Sequence, residues 1–350
     1  MSNKDVIKLV DKAAKTADLT KEEMVYLLKQ DFTELDYLIN KADQKRKELF
    51  GDEVHLRAII EISSYCKQNC YYCGLRKDNK QLERYQLAKE DIIATANQAA
   101  KLGYKTVVLQ SGEDDYPAQK IAEIIKEIKV NNDIAITLSL GERDFGVYKL
   151  WKEAGADRYL LKHETADKEL YQKYHPQMSF KNKIESLKYL KLLGYQTGSG
   201  VIIGLPGQSA EILAEDLLLL KELEVDMVGS GPFIPHQNTP LKNTKQGTVE
   251  MTLKFNALSR LLLQMTHIPA TTALGTIDDF GRQKALQAGA NVVMPNVTDS
   301  KYRSKYEIYP AKICIEEKAA DCRQCIGGII SSLGRFVSKE RGDSLKIKTG

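Results

Sequence analysis

The sequence predicts an α/β protein: a (β/α)8 TIM-type barrel with an N-terminal helical extension and a C-terminal cysteine-containing segment. Eight short β-rich runs alternate with amphipathic segments of helical length, the pattern of βα units on a parallel sheet. Polar residues follow these runs directly, and barrel folds build their active sites at the carboxyl ends of their strands. We therefore assign residues 1–50 to the extension, 51–310 to the barrel and 311–350 to the C-terminal segment.

The extension is predicted to be helical because its apolar residues recur at helical spacing. One amphipathic stretch opens at residues 19–23, and a second opens at residues 33–35 and runs to Phe50. At the other end of the chain, we expect the tail after about Glu340 to be frayed.

The barrel strands are predicted from β-rich runs, each followed by a run of helical length. Helices that precede strands end in a glycine signal, at Gly103, Gly155, Gly194 and Gly289. The predicted strands begin near residues 56–62, 106–110, 134–140, 158–161, 200–204, 227–231, 270–273 and 291–294.

Composition excludes several classes of protein. The 350 residues are 43% hydrophobic and 28% charged, which is typical of a globular protein and not of a disordered or membrane-spanning one. The net charge is only +4, from 51 basic and 47 acidic residues. This near balance does not indicate binding to nucleic acid, and we expect no membrane partner. The first residues lack a secretory signal, so we expect a cytoplasmic location.

Three cysteines directly after the first strand carry the strongest chemical signal. Cys66, Cys70 and Cys73 have the spacing Cys-x3-Cys-x2-Cys. Three thiolates can hold three irons of a cubic 4Fe–4S cluster and leave the fourth iron open. The alternatives are a zinc ion that recruits a distant fourth ligand, or reduced thiols without a metal. Metal binding is favoured over disulfides because all six cysteines fall into two tight groups.

The spacing, with Tyr72 directly before the last cysteine, resembles the signature of the radical S-adenosylmethionine (SAM) superfamily. The resemblance implies that SAM chelates the open iron of the cluster. One-electron transfer from the cluster would then cleave the C5'–S bond and release methionine and a 5'-deoxyadenosyl radical. The protein would contribute positioning and the exclusion of water.

Further segments resemble one family in this superfamily, the HydE maturases of FeFe hydrogenases. The resemblance covers roughly residues 50–330. Matching runs lie at the ends of nearly every predicted strand, at residues 73–76, 108–114, 137–142, 156–161, 163–166, 204–208, 226–229, 231–236, 269–273 and 294–296.

The resemblance implies roles for residues that bind SAM. Ser111, Gly112 and Glu113 stand where the superfamily has a Gly-Gly-Glu element that orients the amino group of methionine. Glu164 resembles the acid that binds the ribose hydroxyls.

Two further positions belong to the same set. Lys183 stands where the family pattern has an arginine for the methionine carboxylate. A guanidinium that could form two parallel hydrogen bonds to the carboxylate is thus replaced by an ammonium. Met227 lies where the family lines the adenosyl region, and its alternative role is core packing on the sixth strand.

For the substrate, the resemblance implies a small anionic cavity inside the barrel. Lys162 would contribute a positive charge where we expect arginine, and Met294 would lie near the floor. Tyr306 and Tyr309 match tyrosines of a loop that closes the barrel, with packing as the alternative role. The implied lining consists of three hydroxyls and a guanidinium, Thr137, Thr271, Thr272 and Arg158.

A second cysteine group lies near the C-terminus. Cys314, Cys322 and Cys325 are compatible with a 2Fe–2S or 4Fe–4S cluster, or with zinc if a fourth ligand is recruited. The family resemblance implies an accessory iron–sulfur cluster that is not needed for the core reaction. The alternative is a group of thiols that is empty or oxidised.

These observations predict a radical SAM enzyme that acts in assembling the two-iron subcluster of FeFe hydrogenase. The implied substrate is a small iron-bound, cysteine-derived compound, and an external one-electron donor is required. The implied protein partners are the radical enzyme that forms this precursor and a GTPase scaffold. The alternatives are a methylornithine synthase or biotin synthase relative, or a non-catalytic iron–sulfur carrier. No cysteine lies between Cys73 and Cys314 to ligate a cluster inside the barrel, which argues against biotin synthase.

Overall fold

A computed structural model describes residues 3–31 and 35–347 of the chain. Its first three helices are α1 (Asn3–Thr16), α2 (Lys21–Lys29) and α3 (Leu35–Phe50). The start of α2 is a capping box: the Thr20 hydroxyl accepts from the Glu23 amide, and the Glu23 carboxylate accepts from the Thr20 amide at 2.8 Å. The predicted start of the next helix, at residues 33 and 34, lies outside the described residues.

The described part of the chain contains twelve strands. Six of them, β7 to β12, are only two residues long. Their bounds are β1 (Glu53–Leu56), β2 (Ala58–Ser63), β3 (Thr106–Ser111), β4 (Ala135–Ser139), β5 (Arg158–Leu160), β6 (Gln196–Ser199), β7 (Ile202–Ile203), β8 (Met227–Val228), β9 (Gly231–Pro232), β10 (Pro269–Ala270), β11 (Val292–Val293) and β12 (Phe336–Val337).

The wall of the parallel barrel has eight strand positions. β1 and β2 together occupy one of them and are separated only by Arg57. β2, β3, β4, β5, β6 and β8 pair in that order, and β10, β11 and β1 form the other part of the wall. Two bridges join the parts: Met227 pairs with His267, and Ile59 pairs with Asn296. The predicted barrel is thereby confirmed.

Helices surround the barrel and bury one face each against it. In α5, for example, Ile121, Ile124, Ile125 and Ile128 are all at most 1% exposed. No helix among the described residues is both long and apolar enough to cross a bilayer. The remaining helices are α4 (Lys89–Lys101), α5 (Ala118–Asn131), α6 (Phe145–Glu153), α7 (Lys168–Tyr174), α8 (Phe180–Leu192), α9 (Ala210–Glu222), α10 (Val249–Leu263), α11 (Thr272–Ile277), α12 (Gly281–Gln287), α13 (Ser300–Arg303) and α14 (Ala319–Ser332).

The predicted fifth strand, at residues 200–204, is wrong in position. The fifth barrel strand is instead β6, whose sequence Gln-Thr-Gly-Ser lacks the β-branched run that the prediction relied on. A small residue is required there, because a side chain at Gly198 would meet Leu160 and Met227 at 2.9 Å. The apolar residues Ile202 and Ile203 instead form β7, which pairs with β9 outside the main ladder.

The C-terminal segment is joined to the barrel, and the prediction of a frayed tail after Glu340 is wrong as far as Ile347. β12 pairs in parallel with β1. The chain then crosses beneath the amino ends of the strands, where the Ser344 hydroxyl donates to Asp226 at 2.6 Å. The division of the chain into three parts stays a prediction.

Candidate active site

The carboxyl ends of the strands open onto one cavity of about 420 Å³ inside the barrel. This is the end of a parallel barrel where active sites are found. Cys66, Cys70 and Cys73 contribute to its wall near the mouth, and Met227 and Arg57 lie deeper. We call the segment after β2 that contains Cys66, Cys70 and Cys73 the cysteine loop. The cysteine loop and the interior of the barrel therefore line the same cavity.

The three thiols are mutually close and shielded from water. Burial raises the pKa of Cys66, and burial together with repulsion from neighbouring thiols raises the pKa of Cys70 and, to about 12, that of Cys73. Thiols in such surroundings ionise readily only when a cation compensates their charge. The described part of the chain holds no group of three His, Cys, Asp or Glu side chains arranged around a single metal ion.

Gly112 allows the end of β3 to approach the cysteine loop. A Cβ atom at this position would lie 2.4 Å from the carbonyl oxygen of Tyr65 and 2.7 Å from Cβ of Cys66. The backbone contact is therefore possible only without a side chain. Ser111 and Glu113, on either side, both line the cavity.

The Glu113 carboxylate is held by donors from two other segments. One oxygen accepts from the side-chain amide of Gln68 at 2.7 Å, and the other accepts from the backbone amide of Glu142 at 2.9 Å. Gly141 has a φ of +75°, and a Cβ there would lie 1.9 Å from the Glu113 side chain. An ionised carboxylate has about four acceptor positions, so the oxygens retain capacity for a ligand ammonium.

Lys183 lines the same cavity and forms an ion pair of 2.5 Å with Glu142. Its side chain is 6% exposed, so the ammonium is kept near the cavity and away from bulk water. An ammonium has three donors, and this pair uses only part of that capacity.

Glu164 has a φ of +68°, a left-handed conformation that is uncommon for a residue with a side chain. Its backbone is fixed between Gly200, whose carbonyl accepts from the Glu164 amide at 2.9 Å, and Ile202. Lys162 forms an ion pair of 3.0 Å with the Glu164 carboxylate, and both residues line the cavity. This strain directs an acid into the cavity at the end of β5.

Tyr72 stands at the cavity wall in a fixed orientation. Its hydroxyl lies 2.8 Å from Nε2 of His175, and Nδ1 of His175 lies 2.8 Å from the carbonyl oxygen of Tyr171. Because Nδ1 must donate to that carbonyl, Nε2 accepts from the Tyr72 hydroxyl. Met178, in the same loop, places its sulfur 4.0 Å from that of Cys70.

Two hydroxyls deep in the cavity have no hydrogen-bond partner among the described residues. They belong to Thr137 on β4 and Thr271 after β10, and both atoms are buried. An unsatisfied buried hydroxyl costs about 1–3 kcal/mol, so a ligand that bonds to both would recover this loss. Thr272 and Met294 line the cavity beside them.

Arg158 does not line the cavity, which corrects its expected place there. It is the first residue of β5 and therefore lies at the amino end of the barrel. Its guanidinium is 0% exposed and donates to Thr106 at 3.0 Å, to Gln196 at 3.1 Å and to Asp343 at 2.6 Å. The buried guanidinium that does reach the cavity is that of Arg57, which donates to the Met227 sulfur at 2.8 Å.

The loop that contains Tyr306 and Tyr309 covers the cysteine loop, and both tyrosines line the cavity. Gly74 donates to the Ile308 carbonyl at 2.9 Å. The loop is fastened to the barrel by Lys312, which pairs with Glu61 at 2.6 Å.

Of the C-terminal cysteines, Cys322 is buried in α14 and Cys325 is exposed. A hydrogen bond with Cys322, together with the nearby Arg282 guanidinium, lowers the pKa of Cys314. Cys314 has a φ of +62°. The accessory cluster stays a prediction.

Comparison with known proteins identifies the family. A family model of the radical SAM superfamily matches residues 60–220. The FeFe hydrogenase maturase subunit HydE of Thermotoga maritima is 48% identical over 348 residues, which are 99% of each chain. This chain belongs to the HydE family. It is thus a radical SAM enzyme, and the predicted 4Fe–4S cluster and SAM are confirmed as its cofactors.

Other relatives of this HydE-family chain carry a different named activity. The 3-methylornithine synthase of Methanosarcina acetivorans is 31% identical over 297 residues, which are 84% of each chain. A crystal structure of methylornithine synthase superposes with a TM-score of 0.84 at 27% identity, and it covers 97% of this chain and 99% of the other. The likeness supports the barrel with its N-terminal helices.

Sequence reasoning missed three residues of the site. Gln68 lies within the cysteine motif, and its position between Cys66 and Cys70 was the available signal. His175 and Arg57 carried no signal, because their contacts with Tyr72 and Met227 join segments more than a hundred residues apart in sequence.

Proposed function

We propose that this chain is a HydE-type maturase, which uses SAM to act on a small precursor of the two-iron subcluster of FeFe hydrogenase. The main support is the identity of 48% over 99% of the chain to a maturase subunit of that name. The cavity supports it independently, because three thiols at the mouth and two unpartnered hydroxyls in the interior face one space.

When bound, the cluster supplies the electron that cleaves the C5'–S bond of SAM. Cys66, Cys70 and Cys73 would hold three of its irons. Gly112 and Glu113 would receive the methionine amino group, because an ammonium needs acceptors. These residues bring the SAM amino end against the cysteine loop.

The remaining SAM contacts fall to charged groups in the same wall. Lys183 would bind the methionine carboxylate while Glu142 holds its ammonium in place. Glu164 would accept from the ribose hydroxyls, and Tyr72 would pack against the adenosyl group. Enclosure by the barrel keeps water away from a reactive radical.

For the substrate, Thr137 and Thr271 would donate hydrogen bonds to electronegative groups of the precursor. Lys162 and Arg57 would supply positive charge, which suits carboxylate, thiolate or cyanide groups. Tyr306 and Tyr309 would close the mouth. We infer that the partners are the precursor-forming radical enzyme and the GTPase scaffold, in the cytoplasm, where clustered thiols stay reduced.

The first test is anaerobic reconstitution with iron, sulfide, SAM and dithionite. We expect 5'-deoxyadenosine and methionine from the wild-type chain and neither from Cys66→Ala. The second test omits and restores the chain in a cell-free hydrogenase maturation reaction. Hydrogenase activity that does not depend on the chain would contradict the maturase assignment.

Methylornithine synthase is the second candidate, favoured by the structural likeness at a TM-score of 0.84. An amino-acid substrate would need an acid for its amino group. Of the described residues that line the cavity, only Glu113 and Glu164 are acidic, and both belong to the proposed SAM region. Lysine added to the reconstituted chain should therefore give no methylornithine.

A further inference from the structure

A basic surface lies beside the cysteine loop. We define the basic surface as Tyr65, Lys67, Lys77 and Lys80. Tyr65 is 49% exposed, and the three lysines are exposed. The lysines are brought together because the Lys77 amide donates to the Gln68 carbonyl at 2.8 Å and the Lys80 ammonium donates to the Lys77 carbonyl at 3.3 Å.

The segment that carries the basic surface has a net positive charge. Residues 65–84 hold five lysines and arginines against two acids, a net +3, whereas the whole chain carries +4. Arg84 is directed inward to backbone carbonyls, and Glu83 is paired with Lys305. Among the described residues, no lysine of the basic surface forms an ion pair, so their charge faces solvent.

The basic surface also lies next to one of the proposed cluster ligands. Tyr65 is the residue next to Cys66, and the Tyr65 backbone and the Cys66 Cβ both pack against Gly112. Cys70 lies deeper, behind Met178 and behind a hydrogen bond of 3.0 Å from the Tyr71 amide to the Tyr174 carbonyl. An electron that enters at Tyr65 thus reaches a proposed ligand of the cluster with no residue in between.

We propose that the basic surface is the docking site of an acidic one-electron carrier protein. The inference rests on the proposed function, because SAM cleavage consumes one electron that this chain does not generate. In the docked complex the reduced carrier loses one electron, the 4Fe–4S cluster gains it, and the oxidised carrier dissociates. Opposite charges on the two surfaces speed the encounter and orient it.

The test uses flavodoxin, a small acidic flavin protein, with the anaerobically reconstituted chain. Lys67→Glu/Lys77→Glu reverses two charges of the basic surface. Lys101→Glu/Lys126→Glu is the matched control, because both of these lysines are exposed and make no ion pair in the described part of the chain. The readouts are the Kd of the complex and the rate at which flavodoxin hydroquinone is oxidised, followed by flavin absorbance at several salt concentrations.

We expect the wild-type and control chains to be reduced rapidly at low salt and more slowly at 0.15 M salt, where the Debye length is about 8 Å. The basic-surface variant should react at least about tenfold more slowly at low salt and lose most of its salt dependence. Lys67→Gln/Lys77→Gln, which removes charge without reversing it, should fall between the two. Equal Kd values and rates in the two Glu variants would overturn the proposal.

Reduction by dithionite separates this proposal from the proposed function, because dithionite needs no protein docking site. All variants should form 5'-deoxyadenosine with dithionite at the wild-type rate. If the wild-type chain itself forms none, the proposed function fails, while the flavodoxin binding result still stands. A loss confined to the basic-surface variant would show that the lysines act within the site and not in docking.

Discussion

Arg158 and Asp343 form an ion pair of 2.6 Å that joins the amino end of β5 to the C-terminal tail. The arginine side chain is 0% exposed, whereas that of Asp343 is 31% exposed. A second pair, between Arg341 and Asp157, lies beside it at 2.5 Å. The tail thereby closes the lower end of the barrel, directly beneath Arg57, whose guanidinium donates to the Gly342 carbonyl at 3.2 Å.

We predict that Asp343→Asn destabilises the protein by about 2–3 kcal/mol, because it leaves a buried guanidinium without its counter-charge. Urea unfolding measures the change. Asp279→Asn serves as the control, since Asp279 is exposed and makes no ion pair among the described residues. An equal and small effect in both variants would show that the pair contributes nothing.

The same pair sets a pH dependence. Burial alone would raise the pKa of Asp343, but the hydrogen bond from Gln196 and the charges of Arg158 and Arg341 outweigh it and lower the pKa below 3.8. A carboxyl with a lowered pKa stabilises the fold above its unfolded pKa and loses this contribution as pH falls through the folded pKa. The wild-type advantage over Asp343→Asn should therefore be full at pH 5–7 and shrink below about pH 3.8.

Much of the barrel could be predicted because its signals are local. The alternation of apolar runs with helical segments predicts seven of the eight barrel strands near their observed positions. The eighth barrel strand, β6, was missed because it lacks an apolar, β-branched run. Its Gly198 is required by packing against Leu160 and Met227, which the local sequence does not reveal.

The tail and Arg158 show the limit of such reasoning. Residues 341–344 are polar and near a terminus, which locally predicts fraying. Their burial depends on charges from strands far away in sequence. The cysteine loop and the residues after the strands were accessible from sequence, because barrel geometry alone brings strand ends together.

Gly112→Ala should weaken retention of the cluster. The added methyl group would lie 2.4 Å from the Tyr65 carbonyl oxygen, so the cysteine loop must move. Overpacking of this kind costs about 1–3 kcal/mol. Iron and sulfide per chain after reconstitution should fall, while Gly146→Ala, which has no atom within 4 Å of the added group, should bind both normally. Full iron content in Gly112→Ala would contradict the proposed close approach.

His175 is predicted to position Tyr72. His175→Ala leaves the Tyr72 hydroxyl without its acceptor and the ring without its contact at 5.3 Å between centroids. We expect the Kd for SAM to rise roughly fivefold, the equivalent of one net hydrogen bond of about 1 kcal/mol. His175→Gln offers an amide oxygen to the hydroxyl and should recover part of the affinity. Titration of SAM measures the Kd of each variant. If His175→Gln recovers no affinity for SAM, the hydrogen bond to Tyr72 is not the cause of the loss.

Thr271→Val should separate stability from function. The substitution removes a buried hydroxyl that has no partner among the described residues, so the free energy of unfolding should stay the same or rise by about 1 kcal/mol. Thr252→Val is the control, because its buried hydroxyl donates to the Thr248 carbonyl at 2.8 Å within α10 and its loss should destabilise. SAM cleavage with dithionite should survive in Thr271→Val, since Thr271 lies away from the proposed SAM contacts.

The substrate-dependent reaction should fail in the same variant. Cell-free hydrogenase maturation with Thr271→Val should fall at least about tenfold, the cost of about 1.4 kcal/mol when one hydrogen bond to the substrate is lost. Thr137→Val should behave alike, because its hydroxyl faces the same space. A variant that is destabilised yet matures hydrogenase normally would mean that these hydroxyls serve the fold, and the substrate would then have to bind elsewhere in the cavity.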